Sequence, residues 1–186
     1  MSDFTERIVY KGHLFAIVER KDSVNGHERT LEIARRAPGV RLIIELLDGS
    51  LLLTREHRSE LGKYDVRLPG GKVYDSLADY LDALAKHKDF SPLIEAAARL
   101  EAKEEAGIDD GTFTHIHTSV SGLTVDWDLH YFVVTDVKVG AQALEEHEDI
   151  ETMRVSKEAA KKMCFDGSTS EERSALVLLR YLSRKT

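Results

Sequence analysis

Short stretches of alternating apolar and polar residues fill the first third of the chain and predict β-strands. Residue pairs typical of tight turns separate them, among them Asn25-Gly26 and Asp48-Gly49. Turns of this kind join neighbouring antiparallel strands. The predicted strands are 7–10, 13–20, 28–36, 40–47 and 51–54, followed later by 112–120, 129–137 and 150–155.

Four further stretches have the three- and four-residue apolar spacing of helices. Leu77, Tyr80, Leu81 and Leu84 have this spacing, with Ser76 placed to cap the helix. A second helix is predicted over Pro92–Ala106, with Ser91 as its cap and Pro92 at its first position. Gly107 follows it, since glycine favours the left-handed conformation that closes helices. The remaining helices are predicted over 156–163 and 171–183. The last one offers four side chains for burial: Leu176, Leu179, Tyr181 and Leu182.

Composition and charge narrow the class of protein. The 186 residues, 42% hydrophobic and 32% charged, suit one domain with a full core. The net charge is −7 and no block of Lys and Arg stands out, which disfavours duplex nucleic acid and anionic membranes as partners. Cys164 is the single cysteine, so an intrachain disulfide is excluded. Without a signal peptide or an apolar run of about 20 residues, the protein is expected to be cytoplasmic.

The helix that ends at Gly107 holds the strongest chemical signal. Glu101, Glu104 and Glu105 share one sector of its helical wheel, whereas Glu95, Arg99 and Lys103 lie opposite, where they can form ion pairs. Ala97 and Ala98 precede the acidic sector and are expected to leave room for a ligand. Carboxylate oxygens without His or Cys favour Mg²⁺ or Mn²⁺. The alternative is an acidic, solvated helix end.

A glycine pair lies upstream, in Arg67-Leu68-Pro69-Gly70-Gly71-Lys72. Glycines permit close backbone approach, and Lys72 can meet a phosphate. Pro-Gly-Gly is also common in ordinary turns, which is the alternative here.

These residues together resemble the Nudix box, whose signature is G-x5-E-x7-R-E-U-x-E-E-x-G-U with U a bulky apolar residue. Gly71 matches the first glycine, and A-R-L-E-A-K-E-E-A-G-I matches the second half in register. T-L-E-I-A-R-R-A-P-G-V, L-L-L-T-R-E-H-R, R-L-P-G-G-K and E-E-H-E-D-I-E, in this order, are similar to the ADP-ribose pyrophosphatase branch. The resemblance implies an α+β fold, a Nudix-type α/β/α sandwich with a mixed sheet, over 39–186. An N-terminal antiparallel β extension over 1–38 would precede it.

The chain departs from the signature at two places. About 15 extra residues, 76–90, stand between Gly71 and the acidic helix, and their periodicity predicts an inserted helix. The first glutamate of the signature falls on Pro92, and Asp75 is a candidate substitute. The arginine of the signature falls on Leu100, and Lys72 or Arg67 are candidates for the missing positive charge.

In this branch, the resemblance implies metal-assisted attack of water on a diphosphate, most readily ADP-ribose giving AMP and ribose 5-phosphate. Its metal would be held by Glu101, Glu104, Glu105 and the backbone of Gly70 or Gly71. Glu146 is the first candidate for the general base and Glu148 the second. Substrate contacts are expected from four side chains: Arg58, Arg67, Lys72 and Trp127.

The resemblance also implies a homodimer built through the N-terminal strands, and a nucleoside diphosphate derivative as substrate. Two alternatives stay open for the function. One is a catalytically weak or inactive nucleotide-binding or regulatory module of the same fold. The other is a hydrolase of a different nucleoside diphosphate sugar, such as GDP-mannose.

Overall fold

The computed structural model describes residues 4–58, 62–86, 89–146 and 148–184. Within these residues, six strands are followed by two helices, four further strands and two closing helices. The strands are β1 Thr5–Lys11, β2 Ala16–Val24, β3 His27–Arg35, β4 Gly39–Glu45, β5 Leu51–Arg58, β6 Lys63–Arg67, β7 Ile108–Ser119, β8 Val125–Asp126, β9 Leu129–Val139 and β10 Ile150–Val155. The helices are α1 Leu77–Ala85, α2 Ser91–Ala106, α3 Lys157–Asp166 and α4 Glu172–Leu182.

Two sheets form. The first has the order β1-β2-β3-β8, with antiparallel pairing among its first three strands. The second has the order β10-β5-β4-β9-β7. Leu51 and Leu52 of β5 pair with β4, and β6 pairs with the rest of β5 from Thr54 to Arg58. It is a mixed sheet because β4 and β9 run parallel, whereas their outer neighbours are antiparallel.

Strand β4 separates two layers of core because its side chains alternate between the faces of the sheet. Val40, Leu42 and Ile44 pack against α2 through its alanines. Ile43 packs on the other face, in the cluster that holds Ala160 of α3 and Val177 and Leu178 of α4. The mixed sheet therefore lies between helices on both faces, an α/β/α sandwich.

Helix α1 covers the N-terminal sheet instead. Its buried residues Leu77 and Tyr80 pack with Ala16 and Ala37, and Ser76 caps it by accepting a hydrogen bond from the amide of Asp79 at 3.1 Å. The helix predicted within 76–90 is thus confirmed, although positions 87 and 88 lie outside the described residues. The division of the chain at residue 38 stays a prediction.

Several local expectations are corrected. Ser91 is the first residue of α2 rather than its cap: Phe90 occupies the cap position, and the Asp89 carboxylate accepts from the Ser91 amide at 3.0 Å. Strands β6 and β8 are not among the predicted strands: β6 spans only five residues, although polar and apolar side chains alternate along it, and β8 spans two. Leu176 is exposed, since α4 turns Ser174, Ala175, Val177 and Leu178 inward.

Among the described residues, no helix is both long and apolar enough to cross a membrane. The cytoplasmic location stays a prediction.

Candidate active site

Helix α2 and the Gly70–Gly71 loop meet in direct contact. The Gly70 amide donates to Oε2 of Glu105 at 2.7 Å. A Cβ added to Gly71 would lie 2.0 Å from Oε1 of Glu101, so that carboxylate occupies the space a side chain would fill. Gly70 has φ +140°, and a Cβ there would lie 2.2 Å from the Val40 carbonyl oxygen. Gly71 therefore allows the Glu101 carboxylate to approach the loop backbone, and Gly70 allows the loop to pass close to β4.

The inner face of α2 is made of small residues. Ala97, Ala98, Ala102 and Ala106 are buried in the core beside β4. Ala97 and Ala98 therefore bring the helix close to the sheet, and the expectation that they leave room for a ligand is wrong. On the opposite side, Arg99 pairs with Glu95 at 2.9 Å, as the helical wheel predicts.

The pKa values of the three glutamates in the acidic sector of α2 are raised. Burial raises the pKa of Glu101 to about 8, and repulsion from Glu105, Glu104 and Glu148 adds to this. Burial also raises the pKa of Glu105 to about 7, against the opposing effects of the Gly70 amide and Arg41. The pKa of Glu104 is raised as well, by burial and by repulsion from Glu145 and Glu148. These carboxyl groups therefore hold protons to a higher pH than exposed glutamates do, and a bound cation would favour their ionised form.

Arg41 is a site residue that the sequence did not reveal. It is 8% exposed, on β4, and its Nη1 donates to the carbonyl oxygens of Val40 at 2.9 Å and Gly70 at 3.1 Å. Its charge lowers the pKa of both Glu101 and Glu105. The signal in the sequence was a charged residue inside an otherwise apolar strand.

A pocket of about 280 Å³ opens beside this contact. It gathers eight of the residues predicted from the sequence: Arg58, Arg67, Gly70, Gly71, Lys72, Glu105, Trp127 and Glu148. Three charged residues that were not predicted also line it: Arg36, Arg41 and Glu56. Five cationic side chains therefore face three carboxylates, which suits an anionic substrate bound together with a cation.

The cations differ in how they are paired. Arg58 forms an ion pair with Glu56 at 2.6 Å, and Arg67 forms one with buried Asp65. Arg36 and Lys72 form no ion pair with any residue that the structure describes. Burial, together with the nearby charges of Arg41 and Arg173, lowers the pKa of Arg36. These two unpaired cations are the ones most available to an incoming anion.

Trp127 lies at the pocket wall with cations against its ring. The guanidinium carbons of Arg36 and Arg173 are both 4.4 Å from the ring centroid. Arg173 also donates to the Trp127 carbonyl oxygen at 2.9 Å. The ring therefore has partners within the chain, and its stacking on a nucleobase stays a prediction.

The two candidate bases occupy different places. Glu148 lines the pocket, and its Oε2 accepts from the Glu145 amide at 3.0 Å. Glu146 is exposed and does not line the pocket. Glu148 also repels Glu101 and Glu105 electrostatically, so it faces the acidic pair.

The donor set at α2 fits a hard divalent cation in part. Within the described ranges, no three His, Cys, Asp or Glu side chains gather as a metal cage. Mg²⁺ needs only one or two carboxylates when substrate phosphates complete its shell. The Glu101–Glu105 pair meets that need. The Gly70 carbonyl oxygen already accepts from Arg41, and that of Gly71 accepts from the Val40 amide at 3.0 Å, so each has one lone pair left.

The fold is shared with a solved structure. The chain superposes on a crystal structure described as an ADP compounds hydrolase with a TM-score of 0.69, over 97% of this chain and 92% of that chain. The Nudix-type α+β fold is confirmed. The sequence identity is 21%, so the likeness establishes the fold alone. No family model and no curated protein matches the chain.

Proposed function

We propose that the protein hydrolyses a nucleoside diphosphate linked to a second moiety, with ADP-ribose as the leading candidate. Water would attack one phosphorus of the diphosphate, the bond to the bridging oxygen would break, and AMP and ribose 5-phosphate would leave. The observation that carries the proposal is the Glu101–Glu105 pair of α2. Both carboxylates pack on the Gly70–Gly71 loop, beside a pocket rich in cations.

Mg²⁺ or Mn²⁺ is the proposed cofactor, held by Glu101 and Glu105, with Glu104 and the free lone pairs of Gly70 and Gly71 as further ligands. Such an ion offsets charge on the diphosphate and lowers the pKa of a bound water. The raised pKa values of the two main ligands support this assignment, because a cation is the natural partner for carboxylates that repel each other.

The remaining pocket residues would bind and orient the substrate. Lys72 is free to meet a phosphate, and the guanidinium groups of Arg58 and Arg67 lie on the same wall. Trp127 and its stacked arginine would border the nucleoside. Glu148 is the better placed general base, since it lines the pocket and Glu146 does not.

The test is hydrolysis in the presence of Mg²⁺ or Mn²⁺ with ADP-ribose, GDP-mannose, NADH, diadenosine polyphosphates and nucleoside triphosphates. We expect AMP from ADP-ribose, and at least a 100-fold loss of kcat in Glu105→Gln. Glu95→Gln is the matched control, because it makes the same change on the exposed face of the same helix. Loss of activity in both variants, or in neither, would contradict the assignment of the pair.

A second comparison separates the candidate bases. Removal of a general base lowers kcat by about 10²–10⁴-fold. We expect this from Glu148→Gln, whereas Glu146→Gln should retain the rate of the wild type. The reverse outcome would transfer the role to Glu146.

A non-catalytic nucleotide-binding module is the second candidate. It is favoured by Leu100, a side chain 56% exposed in place of the arginine of the signature. Binding of ADP-ribose by calorimetry, with no turnover of any substrate in the panel, would establish it. Turnover of GDP-mannose in preference to ADP-ribose would keep the enzyme and change its substrate.

We also propose that the protein is a homodimer built through its N-terminal strands. All of β1 is exposed, and Ile8, Val9 and Tyr10 expose 46%, 44% and 62% of their surface. Apolar side chains on an edge strand are usually covered by a partner. Light scattering at micromolar concentration should give twice the mass of the chain, and a monomeric mass would overturn this.

A further inference from the structure

Arg41 occupies a place in β4 that an apolar side chain could fill. Every other residue of β4 except Glu45 is buried and apolar or glycine. Taking a guanidinium out of water is costly unless its donors are bonded, and an apolar side chain of similar volume is often no less stable. The bonds that Arg41 makes are therefore informative about its role.

Those bonds connect α4 to the Gly70–Gly71 loop. Nε of Arg41 donates to Oε2 of Glu171 at 2.9 Å, and Nη1 donates to the Gly70 carbonyl oxygen at 3.1 Å. The same Oε2 accepts from Ser174 Oγ at 2.7 Å, and Ser174 Oγ lies 3.2 Å from the Tyr131 hydroxyl. Arg41 is thus fixed from one side and bonded to the loop on the other.

The loop in turn holds the carboxylates of α2. Gly70 makes both bonds with its backbone: its carbonyl oxygen accepts from Arg41, and its amide donates to Glu105. The next residue, Gly71, abuts Glu101. A shift of the Gly70 carbonyl therefore moves the backbone that both glutamates touch.

No arginine on α2 is placed to do this. Leu100 is exposed, and Arg99 is engaged with Glu95 and lies over the Phe113 ring at 4.4 Å. Arg67, which the sequence offered as a source of positive charge, is paired with Asp65. Among the described residues, Arg41 is the cation that acts electrostatically on both Glu101 and Glu105.

We propose that Arg41 is a positioning residue: clamped by Glu171, it fixes the Gly70 carbonyl and thereby the Glu101–Glu105 pair, acting from β4 where the signature uses an arginine on the helix. Its consequence for turnover rests on the proposed function, whereas its consequence for the loop does not.

The first experiment is amide hydrogen exchange at Gly70 in Arg41→Met, a change that preserves much of the side-chain volume. We expect exchange at Gly70 to accelerate by about tenfold or more relative to amides in the centre of β9. Arg35→Met is the matched control. Arg35 is 6% exposed and has two carboxylate partners, Glu6 and Asp126, in the N-terminal sheet. The control should leave Gly70 exchange unchanged.

The second experiment is kinetic. Outer partners of metal ligands typically change affinity or activity by about 10–100-fold when removed. We expect Arg41→Met to lower kcat by that factor with KM within about threefold, because the other four cations of the pocket remain to bind the substrate. Arg41→Lys should restore only part of the rate, since it keeps the charge and loses the fork of donors.

A double-mutant cycle with Glu171→Gln provides the third readout. If Glu171 acts through Arg41, the double variant should lose no more activity than Arg41→Met alone. Additive losses would overturn the clamp. Should Arg41→Met fail to fold, Arg41→Lys and Glu171→Gln carry the same exchange measurement.

Failure of this proposal and of the proposed function can be told apart. Unchanged Gly70 exchange in all three variants would overturn the positioning role even in an active enzyme. Accelerated exchange in a protein that hydrolyses none of the substrates would support the role and overturn the hydrolase.

Discussion

The carboxylates of the N-terminal sheet and those of α2 beside the pocket lie in opposite electrostatic environments. Glu6 accepts hydrogen bonds from Arg20 at 2.7 Å and from Arg35 at 2.9 Å. Burial acts to raise its pKa, but the bonds from the two arginines outweigh that effect and the pKa is lowered. Glu101 is also removed from water, accepts no hydrogen bond from the described residues, and has its pKa raised to about 8.

The difference separates charge used for structure from charge held ready for a ligand. In the N-terminal sheet, the pairs Arg7–Glu19, Arg20–Glu6 and Arg29–Asp22 join neighbouring strands and leave no carboxylate of these pairs unmet. At α2, Glu105 raises the pKa of Glu101, and Arg41 lowers the pKa of both glutamates while its own ion pair is with Glu171. Strongly perturbed carboxylates inside a cleft mark functional sites more often than structural ones.

The largest expected effect comes from closing the space that Glu101 occupies. In Gly71→Ala, the new methyl group would displace the flexible end of the Glu101 side chain, which lies 2.0 Å from the added Cβ. If Glu101 is a ligand of the proposed metal, its displacement changes geometry on which the rate depends, so we expect at least a 100-fold loss of kcat with little loss of stability. Gly140→Ala is the matched control, because its Cβ would lie 2.2 Å from the Asp109 carboxylate, outside the pocket. Equal activity in both variants would contradict the role of the loop.

The next effect concerns stability in the N-terminal sheet. Glu6→Gln removes one carboxylate from buried Arg35 and leaves Asp126 as its partner. Hydrogen bonds to charged groups contribute about 1.5–3 kcal/mol, so we expect a loss of that size in urea unfolding, with kcat unchanged. Glu32→Gln, on the exposed side of β3, should stay within about 0.5 kcal/mol. A loss confined to activity would reverse the contrast between the two regions.

Replacing Glu101 by Gln should increase the stability of the metal-free protein, whereas the same change at Glu6 lowers stability. The pKa values of Glu101 and Glu105 are about 8 and about 7 in the folded chain, against 4.5 ordinarily. Between about pH 5 and pH 8, the carboxyl groups of Glu101 and Glu105 hold protons in the folded state that they have lost in the unfolded state. The free energy of unfolding therefore falls as the pH rises across this range. We expect Glu101→Gln to stabilise the metal-free protein at pH 8 by about 1–2 kcal/mol.

Thermal unfolding in EDTA at pH 5, 6, 7 and 8 measures this slope. The variant should show a flatter profile than the wild type, and Mg²⁺ should restore stability to the wild type at pH 8. A wild-type profile that rises with pH would show that the glutamates are ionised and paired in the folded state.

The smallest effect is expected at the position where the signature has its arginine. Leu100→Arg would add a charge on an exposed part of α2, within reach of Glu104 four residues on. Such pairs stabilise a helix by about 0.2–0.5 kcal/mol. If Arg41 already positions the glutamates, kcat should change by less than about twofold. A rise of about tenfold would indicate that the site lacks the helix arginine.

The sequence predicted what depends on local pattern. Strand β10 covers the predicted residues, α2 ends at Gly107 with φ +66°, and the Asn25-Gly26 turn adopts the positive φ values that such turns need. The separation of the acidic sector of α2 from its ion-paired face also follows from helix periodicity alone.

Contacts between residues far apart in the sequence could not be predicted from local pattern. Arg41 forms hydrogen bonds with Gly70 and Glu171, which lie 29 and 130 residues away in the chain. The sequence did not indicate that Arg36 and Arg173, which are distant in the chain, contact the Trp127 ring. The stacking of Trp127 on a base stays a prediction. Ser91 was expected to cap α2, but the helix starts one residue earlier than predicted, so Ser91 is its first residue and the Asp89 carboxylate accepts from the Ser91 amide.

The bond between Arg41 and Glu171 joins two residues that lie 130 positions apart in the chain. Glu171 stands just before α4, so it is translated after β4, the Gly70–Gly71 loop and α2. If Arg41 positions the glutamates as proposed, a chain truncated before Glu171 would keep every proposed metal ligand and lose the carboxylate that fixes the Arg41 guanidinium.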